Sequence, residues 1–193
     1  MKVRLGFVAN SSSSSFLVGF SRIPKTEDEL REMMFGDQKG TNVIYGYDEY
    51  AWSVEGIVKR VFRDLQNAQP LTESEQIIEV ISSGSYPGGR RELFREHCDA
   101  VLAEYLQAYP GASKQDLHQD EEWREKYWAA YHEDFDEDQR LEKECAEKYW
   151  DAEKYRFEGR FIYRFTYSDN SGESAFEHGG IFENLPHLVI SHH

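Results

Sequence analysis

Large apolar side chains occupy every second position near both ends of the chain, and this spacing constrains the fold more than any other feature. It runs through Phe16, Val18 and Phe20, and it returns in residues 161–167 and 188–190. A period of two directs side chains to one face of a β-sheet. The residues between these segments repeat at three- and four-residue steps, which is typical of amphipathic helices. We therefore expect an α+β fold in which N- and C-terminal strands share one mainly antiparallel sheet and the middle of the chain supplies the helices.

A run of five serines, Ser11–Ser15, follows the alternating segment Val3–Phe7 and precedes Phe16. This arrangement predicts a strand, a polar loop that holds the serines, and a second strand. Consecutive amides and hydroxyls can wrap an anion such as phosphate, and a serine beside a base can act as a nucleophile. The alternative is a solvated polar turn. The residues that we predict to bind a ligand here are Asn10, Ser11, Ser12 and Ser13.

Two terminal segments carry a resemblance to a known group of proteins. They are Gly6–Phe16, with the sequence GFVANSSSSSF, and the histidine-rich Glu177–His193. Both segments are similar to the ends of small, mostly uncharacterised bacterial and phage-encoded proteins. The resemblance implies a bacterial or phage origin. It assigns no activity and no residue roles.

Four of the seven histidines lie within the last sixteen residues of the chain: His178, His187, His192 and His193. Imidazole exchanges protons near neutral pH, so we predict His178 and His192 as the proton donor or acceptor of a site. A site that joins His178, His187 or His192 with Glu177 or Asp169 would also suit zinc or another transition metal. Their spacing matches no named metal motif, and an exposed terminal pair is the alternative.

Charge and composition limit the classes of partner. The chain has 193 residues, 15% of them aromatic, and this length and content suit a single folded domain over 1–193. Its net charge is −14. A nucleic-acid groove and an anionic membrane surface both need clustered Lys and Arg, so neither is the expected partner. A basic protein partner is compatible with the charge. With two isolated cysteines, no signal-like start and no long apolar run, we expect a cytoplasmic protein.

Residues 115–154 are the most acidic part of the chain, with fifteen acidic and six basic side chains. Within them Trp123, Tyr127, Tyr131 and Phe135 recur every four residues, which predicts a helix with one aromatic face. We expect this segment to form an acidic helical insertion or arm, as a hairpin or a single projection. The aromatic face is typical of core packing or, where it is exposed, of a protein-binding surface.

Short polar motifs indicate where other helices begin. Thr26 and Thr72 each precede a glutamate by three residues, as in a capping box, and Ser53 precedes an apolar helical pattern. Apolar residues also recur at helical spacing over 90–108, before a Pro-Gly pair that would end a helix. These patterns predict four helices in the middle of the chain.

Two further patterns fail as functional motifs. Asp134, Asp136 and Asp138 alternate as in a calcium-binding loop, but Gln139 stands where the loop requires glycine, so a solvated acidic face is the better interpretation. The neighbours His97 and Cys98 resemble a nucleophile pair, but adjacent residues of a helix point about 100° apart and do not face each other.

Two hypotheses for function follow. In the first, the serine loop meets the C-terminal strands and binds a small anionic ligand, on which His178 or His192 then acts if the protein is an enzyme. In the second, the protein is a non-catalytic interaction factor whose acidic aromatic helices at 115–154 dock on a basic protein partner. Under the second hypothesis, charge reversal in 115–154 abolishes activity in the cell and replacement of the serines has little effect. The first hypothesis predicts the opposite result for each change.

Overall fold

A computed structural model describes residues 13–36, 44–45, 52–90, 92–168, 176 and 180–191. The chain divides into two compact units. The first, which we call the sheet unit, contains Met1–Gly88 and Lys148–His193, and the second, the helical unit, is Gly89–Glu147. In the described part of the chain, no helix combines the length and the apolar character needed to cross a membrane.

The sheet unit contains strands at both of its ends and helices between them. Its elements are β1 (Ser13–Phe20), α1 (Glu27–Phe35), β2 (Ile44–Tyr45), β3 (Trp52–Ser53), α2 (Val54–Asn67), α3 (Ser74–Ser82), β4 (Phe161–Ser168) and β5 (His187–Ser191). The helical unit contains α4 (Glu96–Ala108), α5 (Lys114–Gln119) and most of α6 (Glu121–Glu153). The last turns of α6 belong to the sheet unit and lead into a 3-10 turn at Lys154–Phe157.

The main sheet has β1 in its centre, with β4 and β5 as antiparallel neighbours on either side. Phe16, for example, pairs with Phe165 of β4 and with Val189 of β5. This arrangement confirms the predicted α+β fold and the shared sheet of N- and C-terminal strands. The short strands β2 and β3 form a separate antiparallel ribbon.

The predicted position of the last three serines was wrong, because β1 already begins at Ser13. Ser15 is fully buried, its hydroxyl lies 2.9 Å from that of Thr166, and it accepts hydrogen bonds from the Arg164 guanidinium. A serine fits a central strand when its hydroxyl finds partners there. β4 and β5 occupy both edges of β1 over Ser14–Val18. Residues 3–7 lie outside the described residues.

Both faces of β1 are covered, so its residues from Ser14 to Phe20 are all buried. On one face Phe16, Val18 and Phe20 share a core cluster with α1 and α2. Gly19 points to the opposite face, where a Cβ atom would lie 2.9 Å from the ring of Phe157. A strand that is buried on both faces has a nearly continuous apolar sequence, as residues 16–20 do.

Two of the three predicted helix caps agree with the structure, and one predicted helix begins later than expected. The hydroxyls of Thr26 and Ser53 accept the backbone amides that begin α1 and α2. The cap of α3 is Glu73 instead of Thr72, in a capping box with Gln76, whose side chain accepts the backbone amide of Glu73 and also that of Thr72. The helix predicted over 90–108 begins only at Glu96, because Asp138 of α6 binds the residues before it.

We predict that Gly19→Ala lowers the free energy of unfolding by about 1–3 kcal/mol, the usual cost of an extra methyl group in a packed core. Urea denaturation of the wild-type protein and the variant measures the loss. In a Phe157→Leu background, where the ring is absent, the same substitution should cost clearly less. Equal costs in the two backgrounds would show that the ring contact is not the cause.

Candidate functional site

Most residues of the site predicted from the serines and histidines lie outside the described residues: Asn10, Ser11, Ser12, His178 and His192. Ser13 is the first residue of β1 and pairs with Ser168. Ser14 pairs with Ser191, the residue that precedes His192 in the chain. The strands β1 and β5 are therefore neighbours in the sheet, as the first hypothesis requires. Among the described residues, no group of three His, Cys, Asp or Glu side chains is arranged to hold a metal ion.

In the helical unit, the most unusual polar group is the buried carboxylate of Asp134 on α6, whose exposed fraction is 3%. It accepts the backbone amides of His97 at 2.9 Å and of Cys98 at 2.8 Å, which belong to the first turn of α4. The residue at the N-cap position of α4 is Arg95, which makes no side-chain cap. Asp134 therefore caps α4 from another helix, and the prediction that it lies on a solvated face was wrong.

Burial alone would raise the pKa of Asp134. The hydrogen bonds from the backbone and side chains of Cys98 and His97 outweigh burial and hold the pKa at about 2. The positive end of the α4 dipole favours the ionised form as well. Asp134 is consequently a carboxylate at any physiological pH and acts as a fixed structural anion.

His97 uses its side chain as well as its backbone in this network. Its Nδ1 atom lies 2.9 Å from Asp134, and its Nε2 atom lies 3.7 Å from Glu133. The hydrogen bond to Asp134, followed by the nearby carboxylates, raises the pKa of His97 above its ordinary value of 6.5. The imidazole thus carries more positive charge near neutral pH than a free histidine does.

Cys98 is buried beside the same carboxylate. Burial and the hydrogen bond to Asp134 raise the pKa of its thiol above 9.0. A thiol with a raised pKa is a weak nucleophile, because the thiolate is the reactive form. Cys98 is therefore a packed structural residue, which agrees with the sequence argument against a nucleophile pair with His97.

One turn further along α6, Asp138 holds the segment that leads into α4. It accepts the backbone amide of Phe94 at 2.9 Å and pairs with the Arg90 guanidinium. The carboxylates of Asp134 and Asp138, four residues apart on one side of α6, thus bind successive parts of the chain from Arg90 to Cys98.

Next to these carboxylates the helical unit contains an open cleft of about 400 Å³, which we call the aromatic cleft. This volume lies within the range of about 300–1,000 Å³ that is usual for ligand sites. Its walls are mainly apolar and aromatic. The residues that line it are Leu93, Phe94, Arg95, Cys98, Lys114, His118, Tyr127, Trp128, Tyr131, Asp134, Phe135 and Asp138.

Three of these aromatic residues, Trp128, Tyr131 and Phe135, form a continuous row on α6 that we call the aromatic surface. Their exposed fractions are 51%, 45% and 50%. The ring centroids of Trp128 and Tyr131 lie 5.5 Å apart, and those of Tyr131 and Phe135 lie 6.4 Å apart. The aromatic face predicted from the sequence is therefore divided, because Trp123 packs edge-on against Tyr105 of α4 while these three remain open to solvent.

Basic groups also line the aromatic cleft. The Lys114 ammonium lies 5.0 Å from the centre of the Tyr127 ring, and the imidazole of His118 meets the same ring edge-on. Arg95 is exposed and lines the cleft as well. The sequence alone did not predict these cleft residues, because they come from separate elements. The sequence did contain one sign that α4 needs a cap from elsewhere in the chain. Residues 92–95 contain no Ser, Thr, Asp or Asn to cap the helix that follows.

Comparison of the chain with protein-family models, with curated proteins and with solved structures gave no match. A function is therefore inferred from the geometry of the site itself.

We predict that Asp134→Ala lowers the free energy of unfolding of the helical unit by about 3 kcal/mol, because it leaves buried amides without an acceptor. Amide hydrogen exchange should become faster at His97, Cys98 and the following turn of α4. The matched control is the exposed neighbour Asp136, whose replacement by alanine should change stability by less than about 0.5 kcal/mol. Similar losses from both substitutions would contradict the capping role.

The stability difference between the wild-type protein and Asp134→Asn should depend on pH. The folded pKa of about 2 lies below the ordinary value of 3.8, so the carboxylate stabilises the fold above 3.8 and loses this effect as pH falls through 2. The difference should therefore shrink by about 2 kcal/mol between pH ~5 and pH ~2. It should also decrease as pH rises through the raised pKa of His97, because the same carboxylate is the main cause of that shift. Chemical denaturation at several pH values measures it. A difference that does not shrink between pH ~5 and pH ~2 would contradict the low pKa of Asp134.

Proposed function

We propose that the protein is a cytoplasmic interaction factor whose helical unit docks a basic segment of a partner protein on the aromatic surface. The observation that carries this proposal is the exposure of Trp128, Tyr131 and Phe135 in one row. Contiguous exposed aromatic groups cost free energy in water and are typical of protein-binding sites. Trp and Tyr are also the residues that most often dominate the energy of an interface.

The charge of the helical unit supports a basic partner. Residues 89–147 contain seventeen acidic and eight basic side chains, so most of the net charge of −14 lies in this unit. Exposed carboxylates also flank the aromatic surface on α6. Glu125 lies three residues before Trp128, and Asp136 directly follows Phe135. Apolar anchors with acidic neighbours suit an amphipathic helix or a segment that alternates apolar and basic residues.

The first hypothesis, an anion site at the serine loop, has less support. Ser13, Ser14 and Ser15 pair with neighbouring strands, and Ser15 uses its hydroxyl inside the sheet. That hypothesis now depends on Asn10, Ser11, Ser12, His178 and His192 and stays a prediction, as does a zinc site among the same histidines. The bacterial or phage origin inferred from the terminal segments also stays a prediction. The free thiols of Cys98 and Cys145 are compatible with a reducing cytoplasm.

A synthetic amphipathic peptide of about 14 leucines and lysines tests the proposal as a probe of helix docking. It should bind the full chain, and the double variant Trp128→Ala, Phe135→Ala should weaken binding about tenfold or more, because each ring is an apolar anchor. Fluorescence anisotropy of the labelled peptide measures both affinities.

The controls separate docking from simple attraction of charges. A peptide with glutamate in place of lysine should not bind. Tyr155→Ala removes an aromatic residue that is 67% exposed but belongs to the sheet unit, and it should leave the affinity unchanged. If the lysine peptide binds the double variant as tightly as the wild-type protein, binding is electrostatic only and the proposal is wrong.

A further inference from the structure

The aromatic cleft is lined by two carboxylates and two basic side chains, so it lacks the excess of negative charge that the helical unit carries as a whole. The two carboxylates in its lining are already engaged: Asp134 holds the amides of α4, and Asp138 holds Arg90 and the amide of Phe94. Both keep their negative charge, but these donors occupy their oxygens, so neither is a free acceptor for a ligand. The basic groups Lys114 and Arg95 line the same cleft, and no carboxylate among the described residues pairs with either of them.

The apolar part of the cleft defines the rest of the ligand. Phe94 and Tyr127 lie in the cleft together with the three rings of the aromatic surface, so the cleft opens directly onto the surface where we propose docking. Its volume of about 400 Å³ is near the lower end of the usual range for ligand sites, which fits one large side chain with its backbone. The ligand that suits this lining is an apolar or aromatic residue with an attached anionic group.

A basic partner segment carries such a group at one position without needing any acidic residue. The α-carboxylate at a chain end is next to the side chain of the last residue, and C-terminal carboxylate capture is an established mode of peptide recognition. Lys and Arg donate charge-assisted hydrogen bonds to carboxylates. We infer that the aromatic cleft binds the C-terminal residue of a basic partner, with the side chain among the rings and the carboxylate at Lys114 and Arg95. This inference rests on the proposed function and names the part of the partner that enters.

The test uses the full chain and an eight-residue peptide of lysine and serine that ends in Leu-Phe, prepared with a free carboxylate and as the amide. Overall attraction to an acidic protein favours the amide, because the net charge of the amidated peptide is one unit more positive than that of the free acid. The inference requires the reverse order. In ~50 mM salt the free acid should bind about fivefold more tightly than the amide, as expected for a partly exposed charge-assisted contact.

Substitutions in the cleft identify the groups responsible. Lys114→Gln and Arg95→Gln should each reduce the preference for the free acid, and together they should abolish it while the amide still binds. The matched control is Lys126, which also lies over an aromatic ring, at 4.4 Å from the centre of Trp123, but does not line the cleft. Lys126→Gln should leave the preference unchanged. Circular dichroism checks that these exposed substitutions leave the fold intact.

The outcomes separate this inference from the proposed function. If the amide binds as tightly as the acid or more tightly, and binding still depends on Trp128, the inference is wrong and the docking proposal stands. If neither form binds while the leucine-lysine peptide does, the cleft does not take chain ends and the inference is again wrong. If no basic peptide binds in a way that depends on Trp128, both proposals fail.

Discussion

The helical unit depends on one buried carboxylate. Asp134 accepts two of the backbone amides that every helix leaves unpaired at its N-terminus, where the local sequence offers Arg95 and no acceptor. Asp134 and Cys98 are 36 residues apart in the chain, so this contact is tertiary structure and not a local cap. It fixes the start of α4 and its position on α6 in a single interaction, and its strength comes from a full negative charge at the positive end of a helix dipole.

The same contact determines which side of α6 remains open. An α-helix turns about 100° per residue, so a side chain at 134 that points into α4 leaves positions 131 and 135 on an adjacent side. Tyr131 and Phe135 are therefore presented at the edge of the contact between the two helices, where they and Trp128 form one wall of the aromatic cleft. The cap and the exposed aromatic surface are consequences of one helix orientation. A substitution at Asp134 would for this reason disturb the cleft as well as the stability of α4.

Local patterns predicted the local structure well, as the caps at Thr26 and Ser53 and the strand Phe161–Ser168 show. The errors occur where a distant residue decides the outcome. Serine favours loops in isolation, but Ser15 lies in a central strand because Thr166 and Arg164, more than a hundred residues away, bond its hydroxyl. The start of α4 and the burial of Asp134 were mispredicted for one reason, because the two residue groups bind each other across 36 residues of chain. The aromatic cleft was unpredictable for the same reason, because α4, α5 and α6 each supply part of its lining.

Charge acts on this molecule at two distances. The excess of carboxylates on the helical unit attracts cations over roughly a Debye length, about 8 Å at physiological ionic strength, and so affects which partners approach. Within contact distance, the groups that line the cleft determine the interaction. There the amides of α4 and the Arg90 guanidinium occupy the oxygens of the two carboxylates, while Lys114 and Arg95 pair with no carboxylate among the described residues. A partner that satisfies both conditions is basic over its length and anionic at one apolar point. A small free anion meets only the second condition, and a uniformly basic surface meets only the first, so the combination is more selective than either charge pattern alone.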